Sequence, residues 1–254
     1  MELSLTIIAL LCFFFLVAGF IDSIAGGGGL ITTPMLLLCG VPPHATLGTN
    51  KFATTIGTLT SLWTYARSHL VVLRIALAGF ISAFFGAVAG ARLTMMLDSA
   101  ILGKVLVFLL PAGMVISLFS GRSFFREGDL PKKGLWPKVI GMGFFIGMYD
   151  GFFGPGTGSF FILAQHLLLR MNLVRASATA KIFNLASNAG ALTVFATGGV
   201  VLYALGIPCA IANIIGNQLG TRLAIRVGAH VVRLFLYVTL TILLCTLIYR
   251  FFIA

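Results

Sequence analysis

Ten apolar stretches follow one another along the 254-residue chain, at about residues 3–24, 30–40, 46–66, 73–97, 100–119, 135–153, 158–169, 176–197, 199–223 and 231–253. A helix needs roughly 20 apolar residues to cross the hydrocarbon core of a bilayer. Charged residues make up only 9% of the chain, against about 25% in a soluble domain. The expected fold class is therefore an all-α polytopic membrane protein with about 8 to 10 membrane elements. No sizeable soluble domain fits beside them.

The net charge of +11 comes from basic residues placed singly or in pairs between the apolar runs. That is a pattern of loop charges rather than a nucleic-acid footprint. No Lys or Arg precedes Lys51, so a cleaved signal peptide with a basic leader is not expected and the first stretch is read as a retained span. Cys12, Cys39, Cys209 and Cys245 lie far apart in apolar runs, where cysteine serves as a small packing residue. No Walker motif, HExxH or GxSxG occurs, so neither ATP-driven nor hydrolytic chemistry is expected. No cofactor or metal is expected either.

The chain reads as a duplication. Asp22-x-x-x-Gly26-x-Gly28 returns as Asp150-x-x-x-Gly154-x-Gly156, 128 residues later. Lys51 returns as Lys181, and Gly86-x-x-x-Gly90-Ala-Arg92-Leu as Gly216-x-x-x-Gly220-Thr-Arg222-Leu, both at an offset of 130. Two repeats are expected, at 1–120 and 135–254, around a polar central loop at 121–134.

Loop charges choose between parallel and inverted repeats. If each glycine break lies inside one continuous span, loop Lys and Arg divide seven against eight. If the chain turns back at the glycines, the second half inverts. Twelve basic residues then share one side and only Arg92, Lys104 and Arg250 face the other. Positive charge gathers on the cytoplasmic side, so inverted repeats are preferred, with the central loop cytoplasmic and both termini periplasmic. The stretches 30–40 and 158–169 then become re-entrant or partial spans, a recurring transporter plan.

The chemistry concentrates at the breaks. Gly26, Gly27, Gly28 and Gly29, and Gly154-Pro155-Gly156-Thr157-Gly158, cannot continue a helix cheaply. Unwound backbone at membrane depth is tolerated inside protein or beside a wet cavity, and it leaves free N–H groups at the next helix start, a natural anion site. Asp22, Asp150, Lys51 and Lys181 lie in or beside apolar runs, where charge is costly and marks a pathway or a structural pair. Asn184 and Asn188 share a helical face with Lys181. Arg92 and Arg222 suit an oxyanion but equally suit anchoring at span ends. Asn213, Asn217 and Gln218 add amides beside Arg222 that the first half lacks. His44 and His166 lie near the short broken stretches and offer only a weak case for proton relay.

These residues carry a resemblance. Asp22 to Leu30 (DSIAGGGGL), followed by Pro34, Pro42-Pro43, Ala45 and Gly48-Thr49-Asn50-Lys51, resembles the sulfite exporter family of membrane permeases, the TauE/SafE type. Asp150 to Gly158 (DGFFGPGTG), with Ala178-Thr-Ala-Lys181 and Asn184, is similar to that family's second half. The resemblance implies a secondary transporter in the inner membrane, without its own ATPase, for sulfite, sulfoacetate or related organosulfonates. The site positions it implies are Asp22, Gly26 to Gly29, Asn50, Lys51, Asp150, Gly154, Gly156, Gly158, Lys181 and Asn184. Ala180 stands where Asn50 does in the first half, which breaks two-fold symmetry at the site. The expected partners are a small anion and the lipid bilayer, with a homodimer left open. An anion channel and a membrane accessory subunit without transport of its own are the alternatives.

Overall fold

The computed structural model describes residues 4–102, 128, 130–131, 133–228 and 234–235. Most of the apolar stretches at 100–119 and 231–253 and most of the central loop at 121–134 lie outside the described residues. Among the described residues there is no strand, and eight helices have both ends placed. They are α1 (Leu5–Ala25), α2 (Gly29–Leu38), α3 (Pro43–Arg67), α4 (Leu73–Met95), α5 (Leu135–Phe152), α6 (Thr157–Leu169), α7 (Leu173–Thr197) and α8 (Tyr203–Val227).

Local sequence sets these ends. The Ser4 side chain caps α1 by accepting the Ile7 N–H at 3.4 Å, and Asn172 caps α7 by accepting the Arg175 N–H at 2.9 Å. Pro43 opens α3, where a missing N–H costs nothing. The 25-residue helices α3, α7 and α8 are about 37 Å long. By contrast α2, with 10 residues, and α6, with 13, reach about 15 and 20 Å, short of the roughly 30 Å core. By length and composition α1 and α4 meet the requirement for crossing a bilayer. The polar residues of α3, α7 and α8 dilute their apolar character; Asn50, Lys51, Lys181, Asn184, Asn188, Asn213 and Asn217 among them are buried, whereas Arg67, Arg175, Arg222 and Arg226 are exposed.

Burial is inside out relative to a water-soluble protein. Leu77, Phe85, Phe145 and the four-residue stripe Ile207, Ile211, Ile215, Leu219 are exposed. Lys51, Lys181, Asp150, Asn184, Asn188, Asn213 and Asn217 are buried. Water would reverse both sets; hydrocarbon around the molecule favours both.

The two halves pack reciprocally. Helix α1 lies along α8, and α5 along α4. Gly86 and Gly90 of α4 sit against the carbonyls of Phe144 and Met148, while Gly216 and Gly220 of α8 sit against those of Leu16 and Phe20. The Thr179 hydroxyl accepts the Val72 N–H and the Thr49 hydroxyl accepts the Leu202 N–H, each at 3.0 Å. Each pair maps onto the other through the sequence repeat. Helices α3 and α7 are equivalent and touch. Gly48 lies beside Phe195, Lys51 bonds Asn188 and Tyr65 approaches Ser177, so the two run antiparallel.

At the four GxxxG glycines a side chain would overlap backbone of the facing helix. Gly90→Leu and Gly220→Leu should each cost about 1–3 kcal/mol or more by prising a helix pair apart. Gly141→Leu, where no described atom lies within 4 Å, should cost far less. Thermal unfolding of the three variants in detergent would check this; equal stability would remove the close-approach role.

Candidate functional site

Lys51 and Lys181 sit at equivalent places on α3 and α7 and are almost wholly buried. A buried ammonium must be paired and hydrogen-bonded, and each lysine finds its partner in the opposite half. Lys51 Nζ lies 2.6 Å from Asp150 Oδ1 of α5 and donates to Asn188 Oδ1 of α7 at 2.9 Å. Lys181 Nζ lies 3.0 Å from Asp22 Oδ2 of α1 and also donates to the Asp22 main-chain carbonyl. The repeats are thus cross-linked by two ion pairs at the centre of the fold.

The glycine breaks create the space between the pairs. Helix α1 ends at Gly26, with φ 75° and ψ −178°, a conformation open essentially to glycine. Helix α5 stops just before Gly154, with φ 94°. The chain then restarts as α2 at Gly29 and as α6 at Thr157. The two breaks touch: Gly26 lies against the backbone of Gly158 and Ser159, and the Ser159 hydroxyl donates to the Ala25 carbonyl at 2.8 Å. Both half-helices therefore begin at the same place, and their positive dipole ends converge. The N–H groups of Gly29 and Gly158 donate to no acceptor among the described residues.

These elements border a small, partly open cavity. It is lined by Asp22, Gly27, Gly29, Asn50, Lys51, Thr54, Asp150, Gly154, Gly156, Thr157, Gly158, Asn184 and Asn188. Two ammonium groups face two carboxylates, so fixed side-chain charge cancels. Amide donors and helix starts remain. The Thr32 hydroxyl donates to Asn50 Oδ1 at 2.7 Å, which leaves the Asn50 amide nitrogen as the free donor.

The structure brings most sequence-expected residues together. Gly26 and Gly28 form the turn beside the cavity, and the Gly28 N–H donates to Asp22 Oδ1 at 3.2 Å. Lys181 stands behind Asp22. Three residues are placed elsewhere. Arg92 and Arg222 are exposed on α4 and α8. Asn217 is buried at the α8 interface with α1 and α3 and donates to Asn213 at 3.0 Å. His44 bonds Ser99 and the Thr94 carbonyl, and His166 the Met171 carbonyl; neither lines the cavity. Thr54, which with Thr49 and Asn50 surrounds Lys51 in the sequence and is one turn beyond Asn50, lines the cavity. Thr32, which holds the Asn50 side chain, is the residue that sequence reasoning misses. Thr32 carries no such mark in a sequence rich in threonine.

Comparison with known proteins gives the family. Residues 11–247 match the model of the family described as "Sulfite exporter TauE/SafE". A "Probable membrane transporter protein" of a Sinorhizobium species is 39% identical over 235 residues, covering 91% of this chain and 88% of that one. One of Haemophilus influenzae is 38% identical over 238 residues, covering 92% and 91%. One of Escherichia coli, YfcA, is 33% identical over 243 residues, covering 96% and 90%. No solved structure matches. With the family model matched over nearly the whole chain and relatives above one-third identity, the chain belongs to the sulfite exporter TauE/SafE family of membrane transporters.

Proposed function

We propose that the protein is a secondary transporter of small sulfur-containing oxyanions, namely sulfite, sulfoacetate or related organosulfonates, across the inner membrane, coupled to protons. The observation that carries this reading is the convergence of two half-helix N-termini and the Lys51 ammonium on one cavity between the repeats. An oxyanion of pyramidal or tetrahedral shape accepts hydrogen bonds from several directions. The N–H groups of Gly29 and Gly158 and the amides of Asn50, Asn184 and Asn188 supply donors from several elements.

The repeats are read as inverted, spanning 1–120 and 135–254, with the loop at 121–134 cytoplasmic and both termini periplasmic. The antiparallel run of the equivalent helices α3 and α7 supports this: a two-fold axis along the helices would leave them parallel, and one across them reverses one copy. Alternating access is then movement of one repeat against the other about the crossed ion pairs. Arg92 and Arg222, exposed at the ends of their helices, act as interfacial anchors in this scheme.

The test is uptake of labelled sulfite by purified protein in liposomes. The wild type should show saturable uptake and counterflow, and Lys51→Ala with Lys181→Ala should abolish both. Normal transport by that folded double variant would overturn the site assignment. Flux without counterflow would instead identify a channel.

A further inference from the structure

The two crossed ion pairs are equivalent in sequence but not in bonding. Asp22 is fully engaged. Its Oδ1 accepts the Gly28 N–H at 3.2 Å, its Oδ2 pairs with Lys181 at 3.0 Å, and its main-chain carbonyl also accepts from Lys181. Asp150 is half engaged. Its Oδ1 pairs with Lys51 at 2.6 Å, but its Oδ2 is buried without a hydrogen-bond partner among the described residues. Asp150 is 2% exposed and lines the cavity.

We infer that the two pairs have divided the work, with Asp150 as the single proton-carrying carboxylate and Asp22 with Lys181 as a fixed latch between the repeats. This rests on the anion-transport reading given above. An ionised carboxylate needs donors on both oxygens, and a buried lone pair left without one is costly. Of the four carboxylate oxygens of Asp22 and Asp150, Asp150 Oδ2 is the one without a donor among the described residues, so it is where a proton gains most. Protonation neutralises Asp150 and ends its charge attraction for Lys51. Lys51 keeps its hydrogen bond to Asn188 at 2.9 Å and presents an uncompensated ammonium to the cavity, where an anion can take the place of the carboxylate. One proton and one singly charged anion, such as hydrogensulfite, enter together, and the net charge of the cavity is the same before and after. The second pair cannot open in this way. Lys181 does not line the cavity, so if Asp22 were protonated its ammonium would stay on the Asp22 main-chain carbonyl with no anion able to replace the carboxylate.

Among the described residues, Asp22 and Lys51 are the other titratable groups that line the cavity. Lys51 faces Asp150 from α3 and Asn188 from α7, and Asp22 of α1 lies across the cavity. The neighbouring Tyr149 hydroxyl donates to the Pro155 carbonyl at 2.7 Å. From α4, packed along α5, no titratable group lines the cavity, and His166 of α6 is turned to the Met171 carbonyl.

The experiment compares labelled sulfite uptake into proteoliposomes of the wild type, Asp150→Asn and Asp22→Asn, at fixed internal pH with the external pH lowered by one unit within the mildly acidic range where sulfite is already almost all singly charged hydrogensulfite. A step that takes up one proton speeds by at most about tenfold per pH unit. The wild-type initial rate should therefore rise by up to tenfold. The residual flux of Asp150→Asn should be flat with pH, whereas that of Asp22→Asn, though lower, should keep the pH response. A flat Asp22→Asn, or a pH-responsive Asp150→Asn, overturns the division of labour while leaving sulfite transport intact. No wild-type sulfite flux under any gradient overturns the anion-transport reading itself. Difference infrared spectroscopy on adding sulfite needs no flux and covers variants too slow to measure. A carboxylic-acid band should appear in the wild type and in Asp22→Asn and be missing from Asp150→Asn. The reverse pattern overturns the assignment.

Discussion

Lys51→Met should destabilise the protein by about 3–5 kcal/mol, because it leaves the Asp150 carboxylate buried and alone. It should also cut anion transport by about 10- to 150-fold, the rate equivalent of losing a charged hydrogen-bond donor worth about 1.5–3 kcal/mol. The two losses have separate causes and can be separated. In the double variant Lys51→Met, Asp150→Leu no charge is left unpaired, and an ion pair exchanged for apolar side chains of similar size is often neutral or stabilising. Thermal unfolding in detergent should therefore show stability restored, while liposome uptake stays lost. Stability and transport that return together would make the pair purely structural. A single Lys51→Met variant that transports sulfite at the wild-type rate would remove the lysine from the anion's path altogether.

The membrane class and the repeat were visible in the sequence because both rest on spacing. Apolar runs of about span length and a Lys-to-Arg interval of 41 residues in each half, Lys51 to Arg92 and Lys181 to Arg222, survive without any knowledge of packing. The GxxxG glycines could likewise be assigned to close helix contact, and the structure places backbone where their side chains would be. The crossed pairing could not be read this way. Sequence puts Asp22 nearer to Lys51 than to Lys181, and only the packing of α1 against α8, and of α5 against α4, carries each aspartate to the other half's lysine. Arg92 and Arg222 show the opposite limit. Their residue type suits an oxyanion, but helical phase turns them outward, and a short motif does not fix phase relative to a partner not yet known. The difference between Asp22 and Asp150 also lay beyond the sequence. It depends on one backbone N–H, that of Gly28, which reaches Asp22 Oδ1 while Asp150 Oδ2 has no counterpart.

Gly26→Ala should be among the most damaging single-methyl changes in the protein. Two penalties coincide there. The backbone at φ 75° and ψ −178° is a region that non-glycine residues occupy only at a cost of about 1–3 kcal/mol. The added Cβ would also fall onto the backbone of Gly158 and Ser159. Those atoms belong to the start of α6 and cannot rotate aside as a side chain could, so the overlap adds about 1–3 kcal/mol more. Relief comes only by moving the two breaks apart, which widens the place where both half-helix N-termini meet. Gly228→Ala isolates the first penalty: its backbone, at φ 78° and ψ −152°, lies in the same region, and no described atom stands within 4 Å of its Cβ. Thermal unfolding in detergent should rank Gly26→Ala below Gly228→Ala, and Gly228→Ala below the wild type. Sulfite uptake per folded molecule should collapse only in Gly26→Ala, because a shifted α6 start no longer shares an anion with α2. If the two variants were equally stable and equally active, contact between the breaks would carry no weight in the fold, and the cavity would have to be held open by the crossed ion pairs alone.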